Sequence, residues 1–139
     1  MTEFYPIFLI LNGSIIVFIG LITGLPLRSA IVKKRNELIN PWRATHTVLI
    51  TDGILVIIVG LIISRLLLND LEVELIAWSL VISGYSFVVA FIVGSWKRVR
   101  GLTPMPFGLN TLLFVFHFIG AAGSLVAVAL IIYGSLRNT

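Results

Sequence analysis

The chain has 139 residues, of which 58% are hydrophobic and only 12% are charged, and its mean hydropathy is +1.09. This composition indicates an integral membrane protein in contact with the lipid bilayer, and we expect one domain over residues 1–139 with no separate soluble part. Cysteine is absent, which excludes disulfides and thiolate ligands. The net charge of +4 lies mainly in two short loops, so it does not indicate nucleic-acid binding.

Four apolar runs are long enough to cross a hydrocarbon core of ~30 Å, which needs roughly 20 helical residues. They cover about residues 4–26, 44–68, 75–96 and 107–133. The first run is not expected to be a cleaved signal peptide, because Glu3 stands in place of a basic leader and Leu25-Pro26-Leu27 is no small-residue cleavage site. The sequence therefore predicts an all-α integral membrane protein, a bundle of four transmembrane helices.

The basic residues are distributed unevenly between the two sides of this bundle. Eight of the ten lie in the first and third connections, residues 27–43 and 97–106, whereas four of the six acidic residues belong to the other side. Because cytoplasmic loops are enriched in Lys and Arg, we expect these two loops to be cytoplasmic and both termini to be outside.

Small residues recur along the predicted spans in a way that favours close helix packing. The third span carries them at steps of three or four, and the first and fourth spans carry similar sets: Ser79, Ser83, Ser86, Ala90 and Gly94; Gly13, Gly20 and Gly24; Gly120, Ala121, Ser124 and Ala127. The same pattern also suits a flat ligand, and spacing alone does not separate the two interpretations.

The second span carries the polar residue that is most informative, His46. Gly53 and Gly60 follow it at intervals of seven, so the three residues share one helix face. A histidine at the head of a groove lined by glycines suits the axial ligand of a planar metal macrocycle such as haem. His46 is therefore the candidate metal ligand, with Gly53 and Gly60 beside the cofactor; the alternative is an interfacial histidine near the headgroups.

Two further polar residues are candidates for catalysis, Asp52 and Tyr85. An ionisable side chain within a membrane costs a few kcal/mol by insertion scales, so Asp52 is expected either to pair structurally or to line a polar cavity. It lies about 120° around the helix from His46 and roughly 9 Å deeper, so we expect it to face a different neighbour. Tyr85 lies in the middle of a span, where its hydroxyl is expected to reach a cavity or a partner.

Several short motifs resemble one known family. They are Gly20-Leu21-Ile22-Thr23-Gly24-Leu25 in the first span, Asn40-Pro41-Trp42-Arg43 with His46 at the start of the second, and Arg100-Gly101-Leu102-Thr103 before the fourth. With the four-span layout, they make the chain similar to the styrene oxide isomerase and hydroxylaminobenzene mutase family.

This resemblance implies a small prokaryotic enzyme of the inner or plasma membrane, assembled as a homotrimer that holds haem b between neighbouring subunits. His46 matches the axial ligand. The implied activity is a redox-neutral Lewis-acid rearrangement of a small hydrophobic aromatic substrate, either an aryl epoxide to an aldehyde or an aryl hydroxylamine to an aminophenol.

The chain also departs from the family pattern. Asp52-Gly53 stands where the family has Asn-Gly, and an ionised carboxylate cannot donate a hydrogen bond to a substrate oxygen as an amide does. Counting back from Arg100 places Phe91 where the family tyrosine is expected, with Tyr85 about two turns earlier.

Two other functions remain open from the sequence. One is a b-type electron-transfer protein in which His46 and His117 ligate the same haem, although their depths differ by roughly 9 Å. The other is a non-catalytic membrane subunit or carrier in which Asp52 serves a proton or ion path.

Overall fold

The computed structural model describes residues 4–137 and is all-helical over this range. Its helices are α1 (Phe4–Ile22), α2 (Gly24–Val32), α3 (Asn36–Ile62), a short 3₁₀ turn (Ile63–Arg65), α4 (Asp70–Lys97) and α5 (Leu109–Leu136). Four helical segments are long and apolar enough to cross a membrane: Phe4–Val32, Asn36–Arg65, Asp70–Lys97 and Leu109–Leu136. The predicted fold class, an all-α protein with four spanning helices, is confirmed.

The first connection is much shorter than predicted. We expected a loop over residues 27–43, but α2 continues to Val32 and α3 begins at Asn36, which leaves only residues 33–35 between them. Proline does not prevent this, because Pro26 lies in the first turn of α2, where its missing N–H removes no hydrogen bond within α2 itself, and α3 simply contains Pro41. The prediction ended the spans at the first charged residues, whereas charged helical turns continue beyond the apolar stretch.

Helix α2 is close to a continuation of α1. Thr23, between them, has helical dihedral angles of −65° and −12°, and its N–H donates to the Ile19 carbonyl over 3.1 Å. Pro26 has no N–H to offer the carbonyl one turn earlier, which locally interrupts the hydrogen-bond ladder. Residues 4–32 therefore form one candidate span, in which the backbone hydrogen-bond ladder is interrupted near Thr23.

Helix α1 packs on α3 through glycine. A Cβ on Gly13 would lie 2.7 Å from the carbonyl oxygen of Gly53, and a Cβ on Gly53 would lie 2.7 Å from the carbonyl oxygen of Gly13. The two backbones are thus in direct contact, which is how membrane helices gain packing energy where no water is expelled between them. Only glycine fits at position 53, since two of the three obstructing atoms are backbone atoms, the Gly13 oxygen and the Val17 nitrogen, which cannot move aside as a flexible side chain can.

Helix α4 packs on α5 with hydrogen bonds as well as small residues. The Ser83 hydroxyl donates to the Gly120 carbonyl over 2.6 Å and lies 2.7 Å from the Ser124 hydroxyl. The small-residue stripes predicted on these helices therefore serve helix packing here.

The core and the two ends of the bundle are distinct. A cluster of buried apolar residues joins α1, α3, α4 and α5 near the 3₁₀ turn: Leu9, Val56, Val59, Ile63, Ile76, Ala77, Leu80, Val81 and Ala127. The opposite end, formed by residues 28–43 and 97–108, carries eight of the ten basic residues and is called the basic end below. Large apolar side chains such as Phe18 and Leu125 are more than 60% exposed on the outer surface, as expected for an integral membrane protein surrounded by lipid.

Candidate functional site

The imidazole of His46 is oriented by the backbone of α1. Its Nδ1 lies 2.9 Å from the carbonyl oxygen of Gly20. A carbonyl only accepts hydrogen bonds, so Nδ1 carries the proton and donates it. In the neutral ring the lone pair is then on Nε2, the atom that remains free to bind a metal.

The surroundings of His46 leave room for its ring. A Cβ built on Gly24 would lie 3.2 Å from Cε1 and 3.4 Å from Nδ1 of His46, so α2 approaches the imidazole without a side chain in the way. His46 is half-buried, and within residues 4–137 its recorded hydrogen bond is the one from Nδ1. A histidine with one nitrogen held by the backbone and the other without a hydrogen-bond partner in residues 4–137 could supply one nitrogen ligand to a metal.

The other two members of the predicted cofactor face lie against α1. Gly53 meets Gly13 and Val17, and a Cβ on Gly60 would lie 3.0 Å from the Pro6 carbonyl oxygen. The spacing of seven correctly placed these glycines on one face with His46. We expected an open groove beside these two glycines, and this expectation is corrected. Helix α1 occupies that space, so both glycines are packing residues here.

Asp52 faces α4, a different neighbour from that of His46, as its angular position predicted. Its Oδ2 atom would lie 3.1 Å from a Cβ on Gly84, beside the side chain of Ile16. Oδ2 is buried and has no hydrogen-bond partner among residues 4–137. The sequence left two interpretations open for Asp52, a structural pair or a polar cavity. No side chain among the described residues pairs with its Oδ2 atom.

The hydroxyl of Tyr85 is engaged within the bundle. It donates to the side-chain oxygen of Asn12 over 3.0 Å, and the Asn12 amide donates in turn to the Phe8 carbonyl over 2.8 Å. Tyr85 also packs against the buried apolar cluster. The hydroxyl thus has the partner that the sequence left open, and this partner is a side chain of α1.

A large cavity lies between α3, α4 and α5 at the basic end, and we call it the His117 cavity. Its volume is about 630 Å³, and its walls include Asn40, Ala44, Phe91, Gly94 and His117. The His117 ring stands edge-on to Phe91, with 5.0 Å between ring centroids and 90° between planes. The surface of the cavity is mainly apolar, and its polar lining consists of Glu37, Asn40, Ser95, Arg98, Arg100 and His117.

His46 and His117 lie on different sides of α3. His46 contacts α1 and α2, whereas His117 faces α4 and shares its cavity with Asn40 and Ala44. Ala44 precedes His46 by two residues, a step of about 200° around the helix. Within one chain this arrangement does not bring the two histidines to one iron, which disfavours the electron-transfer alternative.

Two sets of polar contacts between helices were not predicted from the sequence. Thr45 is buried, and its hydroxyl lies 2.7 Å from that of Ser95 and 3.1 Å from the Phe91 carbonyl, which ties α3 to α4 beside the His117 cavity. The contact between the Tyr85 hydroxyl and the side chain of Asn12 on α1 was not predicted either. In each case the available signal was a hydroxyl or amide within an apolar span.

The chemistry available to a metal is also limited. No group of three or more His, Cys, Asp or Glu side chains that suits a metal ion occurs between residues 4 and 137. A metal held by these residues would need a ligand such as a macrocycle to supply most of its donors, with one protein nitrogen completing the set.

Comparison with known proteins places the chain in a family. The family model of styrene oxide isomerase matches residues 8–136, which is most of the chain and indicates an isomerase-type membrane enzyme. No curated protein and no solved structure gave a match. The four spanning helices and the matched length agree with this result, and the chain belongs to the styrene oxide isomerase family.

Proposed function

We propose that the protein is a haem-dependent membrane isomerase. It rearranges a small hydrophobic aryl epoxide to an aldehyde, or an aryl hydroxylamine to an aminophenol, without net oxidation or reduction. The observation that supports this most directly is the hydrogen bond from His46 Nδ1 to the Gly20 carbonyl, because it leaves Nε2 free as a metal ligand.

His46 would hold the haem, and the backbone of α1 orients the ring for that purpose. When bound, haem supplies a Lewis-acidic iron, which polarises a substrate oxygen. The carbonyl of Gly20 fixes the tautomer of His46, and the absence of a side chain at Gly24 leaves the ring uncrowded. Gly53 and Gly60 support the site indirectly, since they let α1 approach α3 closely.

The His117 cavity suits the aromatic substrate. Its apolar wall at Ala90 and Phe91 accommodates an aryl ring and limits attack by water on a reacting substrate. The imidazole of His117, the amide of Asn40 and the guanidinium groups of Arg98 and Arg100 line the same cavity and are the donors available to a substrate oxygen there. Asp52 and Tyr85 remain candidate catalytic residues, although neither lines this cavity.

We propose a homotrimer because it would bring the proposed haem ligand, His46, close to the proposed substrate site, the His117 cavity. His46 and the His117 cavity lie on different sides of α3, so a neighbouring subunit is what would bring His46 of one copy to the cavity of the next. The number three rests on the family resemblance. We further propose a prokaryotic inner or plasma membrane location with residues 27–43 and 97–106 on the cytoplasmic side and both termini outside, supported by the positive charge of the basic end.

Optical spectra of the purified protein test the haem proposal. The wild type in detergent is expected to show a haem spectrum that is lost in His46→Ala and retained in His117→Ala. The activity assay uses styrene oxide and phenylhydroxylamine, with phenylacetaldehyde and an aminophenol as the expected products, and turnover is expected to disappear in His46→Ala.

His117→Ala is the matched control, because it removes an imidazole at the other side of α3. A colourless wild type, after expression with adequate haem supply, would contradict the cofactor. Loss of haem in both variants would instead support ligation by two histidines and electron transfer. Haem without turnover of either substrate class would contradict the proposed reaction.

A further inference from the structure

A second cavity at the basic end shares Ser95 and Arg98 with the His117 cavity but differs from it in having two tryptophans and, among the described residues, no carboxylate in its lining. It lies between α2, α3 and the end of α4, with a volume of about 500 Å³, and it is called the arginine cavity here. Its polar and aromatic lining consists of Ser29, Arg35, Trp42, Ser95, Trp96 and Arg98. Two guanidinium groups and no carboxylate line it.

Both arginines are placed by ordered ends of helices. The N–H of Arg35 donates to the Ala30 carbonyl over 2.9 Å, and the N–H of Val99, next to Arg98, donates to the Gly94 carbonyl over 2.9 Å. These bonds satisfy carbonyls in the last turns of α2 and α4. The negative ends of these two helices are thereby partly neutralised at the cavity, which reduces their repulsion of an anion.

The start of α3 adds to the positive character of this cavity. Arg35 is the residue that precedes α3, and no side chain caps the first N–H groups of the helix. The N–H of Leu38 donates to the Arg35 carbonyl over 2.9 Å and Glu37 supplies one negative charge in this turn, so the start of α3 adds only a small attraction for an anion. Leu38, in the first turn of α3, also lines the arginine cavity.

The two tryptophans indicate the depth of this cavity in the membrane. Trp96 is 74% exposed, Trp42 is half-buried, and both lie at the basic ends of their helices. Tryptophan concentrates at the level of the lipid headgroups, where one part of the ring is in apolar surroundings and the N–H is wet. An anion that reaches the cavity at this depth is most readily the phosphate of a lipid.

We propose that the arginine cavity binds the headgroup of an anionic phospholipid, with its phosphate paired to Arg35 and Arg98 and its acyl chains against the outer surface of α2 and α4. Arginine is suited to this role because its planar fork donates two parallel hydrogen bonds to phosphate oxygens. Ser29 provides a further donor at the rim. This site requires neither haem nor substrate, although Arg98 also lines the His117 cavity.

Glu37 limits the strength of the site. Its carboxylate lies 3.6 Å from Arg98, and both side chains are more than half exposed. Glu37 lines the His117 cavity but not the arginine cavity, so it draws Arg98 away from a bound phosphate. Removing this carboxylate should therefore strengthen lipid binding.

Quenching of tryptophan fluorescence by brominated lipids measures this binding directly. The full chain carries Trp78→Phe, so that the reporters are Trp42 and Trp96, which line the cavity. It is placed in equimolar bilayers of phosphatidylglycerol and phosphatidylcholine in which one or the other lipid is brominated. The ratio of quenching gives the preference for phosphatidylglycerol.

We expect a preference for phosphatidylglycerol of about fivefold or more, the effect of a basic residue near a lipid surface. It should fall to near unity in the double variant Arg35→Gln and Arg98→Gln, fall partly in each single variant, and rise in Glu37→Gln. Arg43→Gln is the matched control, because Arg43 is exposed at the same end of α3 but lies outside the cavity lining.

Three results would overturn the proposal. They are the absence of a preference in the parent protein, an equal loss in Arg43→Gln, which would indicate only a general surface potential, and loss of the preference on adding millimolar glycerol phosphate, which would indicate a site for a soluble anion. Each variant is first shown to keep the thermal midpoint of the parent, and the single variants replace the double variant if that fails to fold.

Discussion

Helix α3 presents two surfaces that are built on different principles. Toward α1 it offers glycines that bring backbones into contact, and the polar group there, His46, is bonded to a carbonyl. Toward α4 it offers Thr45 and Asp52, of which the first is hydrogen-bonded and the second has a buried oxygen without a partner in residues 4–137. Close packing of backbones stabilises the contact with α1, whereas polar side chains determine the stability of the contact with α4. Substitutions at the two contacts should therefore change the free energy of unfolding by different amounts.

The largest effect is expected at the α1 contact, from Gly53→Leu. The added side chain would collide with backbone atoms of Gly13 and Val17, so the free energy of unfolding should fall by about 3 kcal/mol. Thermal unfolding in detergent, in the absence of haem, measures this change. Thr51→Leu, on the exposed face of the same helix, should leave the midpoint nearly unchanged.

This experiment also separates packing from cofactor binding. If Gly53 served only to make room for haem, the haem-free protein would tolerate leucine at this position. A midpoint equal to that of the parent would contradict the assignment of Gly53 to helix packing.

A smaller effect is expected at the α4 contact, from Thr45→Val. The substitution keeps the shape but removes the contacts with Ser95 and the Phe91 carbonyl, which leaves the buried Ser95 hydroxyl without its partner. The expected loss is about 1.5 kcal/mol, near the upper end for hydrogen bonds between membrane helices.

Thr51→Val is the matched comparison for Thr45→Val. Its hydroxyl bonds only to the Thr47 carbonyl on its own helix, and it is exposed. Equal effects of the two substitutions on the unfolding midpoint would show that the bond between α3 and α4 contributes nothing of its own.

The smallest effect, and one of opposite sign, is expected from Asp52→Asn. Replacing the carboxylate with a neutral group of the same size relieves the cost of burying an unpartnered charge, so stability should rise by about 1 kcal/mol. The unfolding midpoint is compared with that of Asp70→Asn, at the start of α4, where removal of a charge favourable to the helix terminus should slightly lower stability. A fall in stability for Asp52→Asn would mean that the carboxylate has a favourable partner, for example in a neighbouring subunit.

The number of spans and the shared face of His46, Gly53 and Gly60 were predictable because they depend on length and helical period alone. The identity of the covering helix was not, since periodicity does not say whether α1 or a ligand lies against that face. The different direction of Asp52 followed from the same arithmetic. Its lack of a partner did not, because pairing depends on what α4 presents at Gly84.

The basic end was predicted least well. Charged residues were taken to end the helices, so residues 27–43 were assigned to a loop and the two cavities that depend on helical turns there could not be anticipated. Phe91 illustrates the same limit. The family pattern singled out its position, but only the packing of α3, α4 and α5 shows that it forms the wall of a cavity with His117.

The acceptor that orients His46 is a main-chain oxygen, and this has a consequence for how the site can vary. No substitution at position 20 deletes that backbone oxygen. As long as His46 is present, the hydrogen bond is therefore lost when α1 slides or rotates relative to α3. The glycine contacts that fix this register are therefore also what keeps the imidazole in its binding tautomer. A mutation one or two turns away that shifts the register would therefore change the orientation of the imidazole, even though it touches neither the histidine nor its hydrogen-bond acceptor.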